Sequence, residues 1–175
     1  VRLFLDKTFA GVDYFGMGPQ ESYRDKHRGS SHGHYHGDVM DMHEDYIRPQ
    51  ENGSHYDCDY VKLEQKADNE QENDKTKVDK AENVVVKAGN AVVSCMGLAV
   101  ASQNTFSFNV SPYTEEQLAA AGHNYELTEC GSTVLCIDYA LNGIGSNSCG
   151  PEVADKYKFN ENKFDFSFVL VPYKF

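Results

Sequence analysis

Apolar residues recur at every second position through much of this chain. Phe164, Phe166, Phe168 and Leu170 alternate with Asp165, Ser167 and the apolar Val169, which makes one face of an extended segment heavily aromatic. Phe106, Phe108 and Val110 repeat the pattern with Ser107 and Asn109 between them, and Tyr56, Cys58 and Tyr60 repeat it with Asp57, Asp59 and Val61. Each run predicts a half-buried strand, and the run at 164–170 predicts one that crosses a sandwich core. Residues 12–15 and 134–139 predict two more. One short helix of about two turns is expected: Thr114 caps it and Gln117 completes a capping box. Glu115 and Glu116 suit its positive end, and Gly122 closes it. Residues 64–83 hold no aromatic side chain and just three apolar ones, Ala67, Val78 and Ala81, so they predict a solvated insertion. The expectation is one all-β domain over 1–175 with no internal repeat.

With 40% hydrophobic and 12% aromatic residues, the 175-residue chain can bury a real core. Its 27 acidic and 16 basic residues give a net charge of −11, which argues against nucleic acid and anionic membranes as partners. No apolar run reaches the ~18 residues of a membrane span, and residues 1–10 lack the order of a secretion signal. Cys58, Cys95, Cys130, Cys136 and Cys149 are odd in number and widely spaced, which fits a reducing cytoplasm better than a disulfide framework. The chain opens on Val1 with alternation already under way, as expected of a fragment that begins inside a strand. An exposed edge left by that start would invite pairing with a second copy.

The stretch Gly16-Met17-Gly18-Pro19-Gln20-Glu21-Ser22-Tyr23-Arg24-Asp25 predicts a sharp turn after a strand. It is not a dinucleotide fingerprint, because Pro19 stands where a helix would begin. It closely resembles the G-x-G-P-x-E-x-Y-x-D-R stretch of the C-terminal β module of glycoside hydrolase family 2 β-galactosidases. Tyr46-Ile47-Arg48-Pro49-Gln50-Glu51-Asn52-Gly53 resembles that family's Y-x-x-P-Q-E-N-G motif. Residues 106–113 with Gln117 and Leu118, then Asp138 with Gly143-Ile144-Gly145, resemble its later motifs in the same order.

The resemblance implies a β-supersandwich like that of galactose mutarotases, built from antiparallel sheets. It implies a C-terminal accessory domain of an enzyme that cleaves terminal β-D-galactosides such as lactose. The two catalytic glutamates, about 5 to 5.5 Å apart in retaining enzymes, belong to a barrel in the rest of the parent, as do the expected magnesium and sodium. Catalytic residues and cofactors are therefore expected to be absent from this chain, whose partners are the parent's remaining domains and the galactoside. Gly18, Pro19, Glu21, Tyr23, Pro49, Glu51, Asn52 and Gly53 are expected to be structural. Glu21 and Glu51 would tie loops together by accepting backbone hydrogen bonds. Cys149 matches the position that reaches the sugar's leaving-group side at the active-site rim.

His32, His34 and His36 alternate, with metal-capable spacing if extended, but Ser30, Ser31, Gly33 and Gly37 predict a flexible loop that would lose entropy on binding, so no resident metal is expected and at most an adventitious one. Two alternatives stay open. One is an aldose-epimerase-like site with a histidine base and a glutamate acid. The other is a sugar-binding module, favoured if Tyr23, Tyr35, Tyr46 and Tyr56 line an open face. A nucleophile elbow and a phosphate-binding loop are both missing from the sequence.

Overall fold

The fold comes from a computed structural model that describes residues 1–66, 87–88, 91–92, 96–145 and 151–175. The strands are β1 (Arg2–Asp6), β2 (Phe9–Gly18), β3 (Ser31–Asp38), β4 (His55–Gln65), β5 (Lys87–Ala88), β6 (Ala91–Val92) and β7 (Met96–Ser111). Helix α1 (Glu115–Ala120) follows, then β8 (Ser132–Asp138) and β9 (Phe168–Lys174). Seven of these strands form one antiparallel sheet, six of them in the order β1-β8-β7-β4-β2-β3 and β9 paired with β7 off that path. Strand β7 carries β8 against residues 107–111 and β9 against residues 96–102, on the edge opposite β4. Strands β5 and β6 pair with each other as a separate two-stranded sheet. The all-β antiparallel character is as the alternation predicts, and no helix among the described residues is long and apolar enough to cross a membrane.

Most of the buried apolar side chains form one cluster, although β8 also buries Val134 and Cys136 on its other face. Val12 and Tyr14 of β2, Val61 and Leu63 of β4, Phe106, Phe108 and Val110 of β7, and Leu135 and Ile137 of β8 form a single cluster. A row of rings crosses four strands within it. Tyr35 of β3 packs on Tyr14 (5.4 Å between centroids), Tyr14 on His55 of β4 (4.5 Å), and His55 on Phe108 of β7 (5.1 Å). The Thr133 hydroxyl of β8 donates to the Phe9 carbonyl of β2 at 3.0 Å, although β7 and β4 separate those strands in the sheet. The sheet therefore curls around its apolar face.

Several expectations are corrected. Tyr56, Cys58 and Tyr60 do not share a face, because the β4–β7 register shifts on either side of Cys58 and Asp57 has φ +58°. Such a bulge resets the alternation, so Cys58, Val61 and Leu63 are buried while Tyr60 joins Phe15 on the outer face. The glycines at 16 and 18 do not turn the chain. They continue β2, where a Cβ on Gly16 would lie 2.9 Å from Cys58 Cα and one on Gly18 would strike the Tyr14 hydroxyl and the Tyr35 ring. The aromatic run is a strand from Phe168 onward; Phe164 is exposed and stacks on Tyr139 at 4.8 Å instead of crossing a core. Residues 30–37 are not a flexible loop: β3 pairs with β2 along its whole length. Glu64 and Gln65 belong to β4 rather than to an insertion, and residues 67–83 of that expected insertion lie outside the described residues.

Helix α1 begins as expected, with the Thr114 hydroxyl accepting from Gln117 N at 3.2 Å and the Gln117 side chain accepting from Thr114 N at 2.9 Å. It ends on an extended Ala121; Gly122 instead donates its N–H to Glu126. Thr114→Ala is expected to cost about 1 kcal/mol in urea unfolding, and an unchanged midpoint would show that the cap contributes nothing.

Candidate functional site

The four motifs, far apart in sequence, converge at one end of the sheet. The turn after β2 carries Glu21, whose side chain is 3% exposed. Its carboxylate accepts from Lys26 Nζ, the Tyr46 hydroxyl and Gly53 N (2.8 Å), with the Tyr23 hydroxyl at 3.4 Å. Burial alone would push this carboxyl up; the hydrogen bonds from Lys26, Tyr46 and Gly53 outweigh it and hold it below the ordinary range. Tyr23 and Lys26 also exchange backbone hydrogen bonds of 2.8 and 3.0 Å, which closes the turn. No histidine is among Glu21's partners, so this carboxylate is a knot rather than half of an acid/base pair.

On the other side of the knot, Asn52 is buried and fully used. Its Oδ1 accepts from Glu44 N (2.9 Å), its Nδ2 donates to the Gln50 carbonyl (3.0 Å), and its own carbonyl accepts from Asn109 Nδ2 of β7. Gly53 sits at φ +74°, where a Cβ would collide with the Met42 carbonyl oxygen. Pro49 is buried beside them, and the Pro19 carbonyl accepts from the Tyr14 hydroxyl at 3.3 Å.

Two residues beyond Tyr23, the Asp25 carboxylate holds a second element. Oδ1 accepts from Ile144 N at 3.0 Å and Oδ2 from Gly145 N at 2.8 Å. Gly143 has no room for a side chain, since its Cβ would lie 2.6 Å from Asp25 Cγ, and Gly145 has φ +59°. The carboxylate thus reads the backbone of the Gly143-Ile144-Gly145 loop across more than a hundred residues of sequence and fixes where that loop leaves the sheet.

The histidines of β3 face outward but do not gather. His34 Nε2 lies 2.5 Å from Asp13 Oδ2, while His32 Nε2 contacts the Asp57 carbonyl at 3.0 Å and packs edge-on to Phe15. His36 stands opposite Asp13 in the β2–β3 register. Among the described residues no three His, Cys, Asp or Glu side chains are arranged to hold a metal.

A family model described as the beta galactosidase small chain matches residues 1–170. The chain belongs to that family. It is 42% identical over 171 residues to a beta-galactosidase of Actinobacillus pleuropneumoniae, covering 98% of this chain and 14% of the relative. It is 36% identical over 168 residues to a beta-galactosidase of Staphylococcus xylosus, covering 96% and 14%. A beta-galactosidase of Kluyveromyces lactis is 28% identical over 170 residues, 97% of this chain and 14% of that protein. The chain therefore spans 14% of the length of these curated relatives.

In this small-chain domain Glu21 does accept a backbone hydrogen bond as expected, but Glu51 does not. Glu51 lies at the surface, and among the described residues its carboxylate has no hydrogen-bond partner; partial desolvation, then Glu115 and Asp138, push its carboxyl up. Cys149 lies outside the described residues. The buried Cys58 thiol is pushed up by desolvation, and Cys136 is pushed to about 11 by the same cause, so neither is an activated nucleophile. Tyr23 is buried, Tyr35 packs on Tyr14 and Tyr46 bonds Glu21, so these three do not form an open sugar-binding face. Sequence reasoning missed two residues, Asp25 as the loop's anchor and the fully buried His55. The aspartate stood inside a quoted motif, but its partners lie too far along the chain to be inferred from spacing.

Proposed function

We infer that this chain is a non-catalytic, C-terminal module of a glycoside hydrolase family 2 β-galactosidase, with its seven-stranded sheet supplying part of a β-supersandwich. The parent hydrolyses terminal β-D-galactosides such as lactose, using two glutamates carried outside this chain. Family membership supports the enzyme class. One observation carries the module's own role: Asp25 grips both Ile144 N and Gly145 N, and so fixes the backbone that precedes Cys149 in sequence. Charge-assisted bonds from one carboxylate to two successive backbone N–H groups hold the backbone at Ile144 and Gly145 in place, as a module contributing to the rim of a sugar pocket requires. None of the described carboxylates is assigned a catalytic role here. Glu21 is locked by its donors, and Glu126 is bound to Gly122 N and His123. Magnesium and sodium are assigned to the parent's other domains.

The test is hydrolysis of a nitrophenyl β-galactoside. The purified chain alone is expected to give no turnover, and mixing it with the rest of its parent is expected to restore activity. In the reconstituted enzyme, Asp25→Ala is expected to lower kcat/KM for lactose by about ten- to a hundredfold through misplacement of the loop. Turnover by the chain alone that survives further purification would defeat this reading.

A further inference from the structure

Between the bulge in β4 and the segment that follows β8 lies a cleft of about 420 Å³, with Arg24, Tyr56, Asp57, Asn104, Tyr139 and Glu161 in its walls. We propose that this cleft binds a neutral sugar, at a site whose described walls include no residue of the Gly143-Ile144-Gly145 loop. Its volume falls in the range of small-molecule sites, about 300–1,000 Å³. Its chemistry selects among their ligands. Arg24 offers a fork of donors, Asp57 and Glu161 offer acceptors, and Asn104 offers both, which matches hydroxyl groups that donate and accept at once. One guanidinium against two carboxylates leaves no positive excess, so phosphate and other anions are poor occupants. Tyr139 adds an aromatic edge to the wall and is held rigidly: it stacks on Phe164 at 4.8 Å and 9°, with Phe159 and Phe166 each at 5.9 Å, and Glu161 accepts from its hydroxyl at 3.0 Å.

The polar groups are both free and held in place. Arg24 and the Asp57 carboxylate share the cleft, yet among the described residues neither makes a hydrogen bond or ion pair through its side chain, with each other or with any other group. Arg24 sits between Tyr23, which is buried, and Asp25, which is clamped to the loop, so its backbone has little freedom. Asp57 is fixed by the bulge at φ +58°, a conformation that costs any residue but glycine, and His32 holds its carbonyl. Groups already ordered before binding lose little entropy when a ligand arrives.

That the ligand is a sugar rests on the cleft; that it is a galactoside rests on the reading above. The test is calorimetric titration of the full 175-residue chain with lactose and, separately, maltose. Lactose is expected to bind with a Kd of about 1 mM. Asp57→Gly suits the positive φ and is expected to melt no lower than the unaltered chain, yet to weaken lactose binding at least about tenfold. Arg24→Gln is expected to weaken it to a similar degree. Maltose bound and lactose ignored would support the cleft and count against the galactosidase reading. Neither sugar bound, or Asp57→Gly binding lactose unchanged, would overturn the proposal while leaving the hydrolysis and reconstitution results to decide the reading.

Discussion

Glu21→Ala is expected to destabilise the chain by about 3 kcal/mol, the largest loss from a single substitution proposed here. The carboxylate collects donors from three separate segments: Lys26 in its own turn, Tyr46 at the start of the second motif, and Gly53 at its end. Truncation leaves the Gly53 N–H and the Tyr23 hydroxyl without their acceptor, and each buried donor so stranded costs about 1–3 kcal/mol. Lys26 suffers less, since its side chain is 47% exposed and can turn to water. Glu21→Gln keeps the shape and one acceptor and should cost less than the alanine variant. Urea unfolding measures both, and an alanine variant within about 0.5 kcal/mol of the parent chain would show that the motifs are held together by packing alone.

Acidification is expected to remove about 3 kcal/mol through His55. That ring is 1% exposed between Tyr14 and Phe108; its Nδ1 meets the Met17 carbonyl at 3.3 Å and its Nε2 has no partner among the described residues. Desolvation lowers its pKa from 6.5 to about 4, despite smaller opposing contributions from the Met17 carbonyl and Glu21. The folded state therefore resists a proton that the unfolded chain accepts. Stability is untouched above pH 6.5, declines as pH falls from there to about 4, and is fully reduced below that. Glu21 acts in the next window: its folded carboxyl is held below 4.5, so its contribution is present above that value and is lost as pH falls further. His55→Phe should flatten the upper window and leave the lower one. A wild-type chain equally stable at pH 7 and pH 4 would refute the assignment.

What could be read in advance followed from local rules. Strand β7 declares itself by alternation, β2 and β8 show as short apolar runs, and β4 shows as a strand though not with its true faces; Thr114 with Gln117 marks the helix start because capping is settled within four residues. Strand β3 does not, since serine, glycine and histidine have weak β preference; its pairing with β2 decides its state. The bulge at Asp57 escaped notice because a reset of alternation leaves no local signature when the residues on both sides are already mixed. Glu21 is legible as a tie, but Glu51, which follows a Pro-Gln pair just as Glu21 does, looks the same in sequence and does no tying. Asp25 and His55 act through partners distant along the chain, which no periodicity or spacing reveals.

The long strand β7 sets how quickly this sheet can assemble. Apart from β2 with β3 and β7 with β8, the strands of this sheet meet partners from far along the chain: Arg2 pairs with Cys136, Leu63 with Leu98, and Val100 with Leu170. Closing such large loops costs entropy before any ladder repays it, so folding should be slow, with β7 as the splint on which β4, β8 and β9 are laid in turn. Until β9 arrives, Gly97, Ala99 and Ala101 present a smooth, unpaired backbone edge, and nascent chains at high concentration are most prone to stick to one another there.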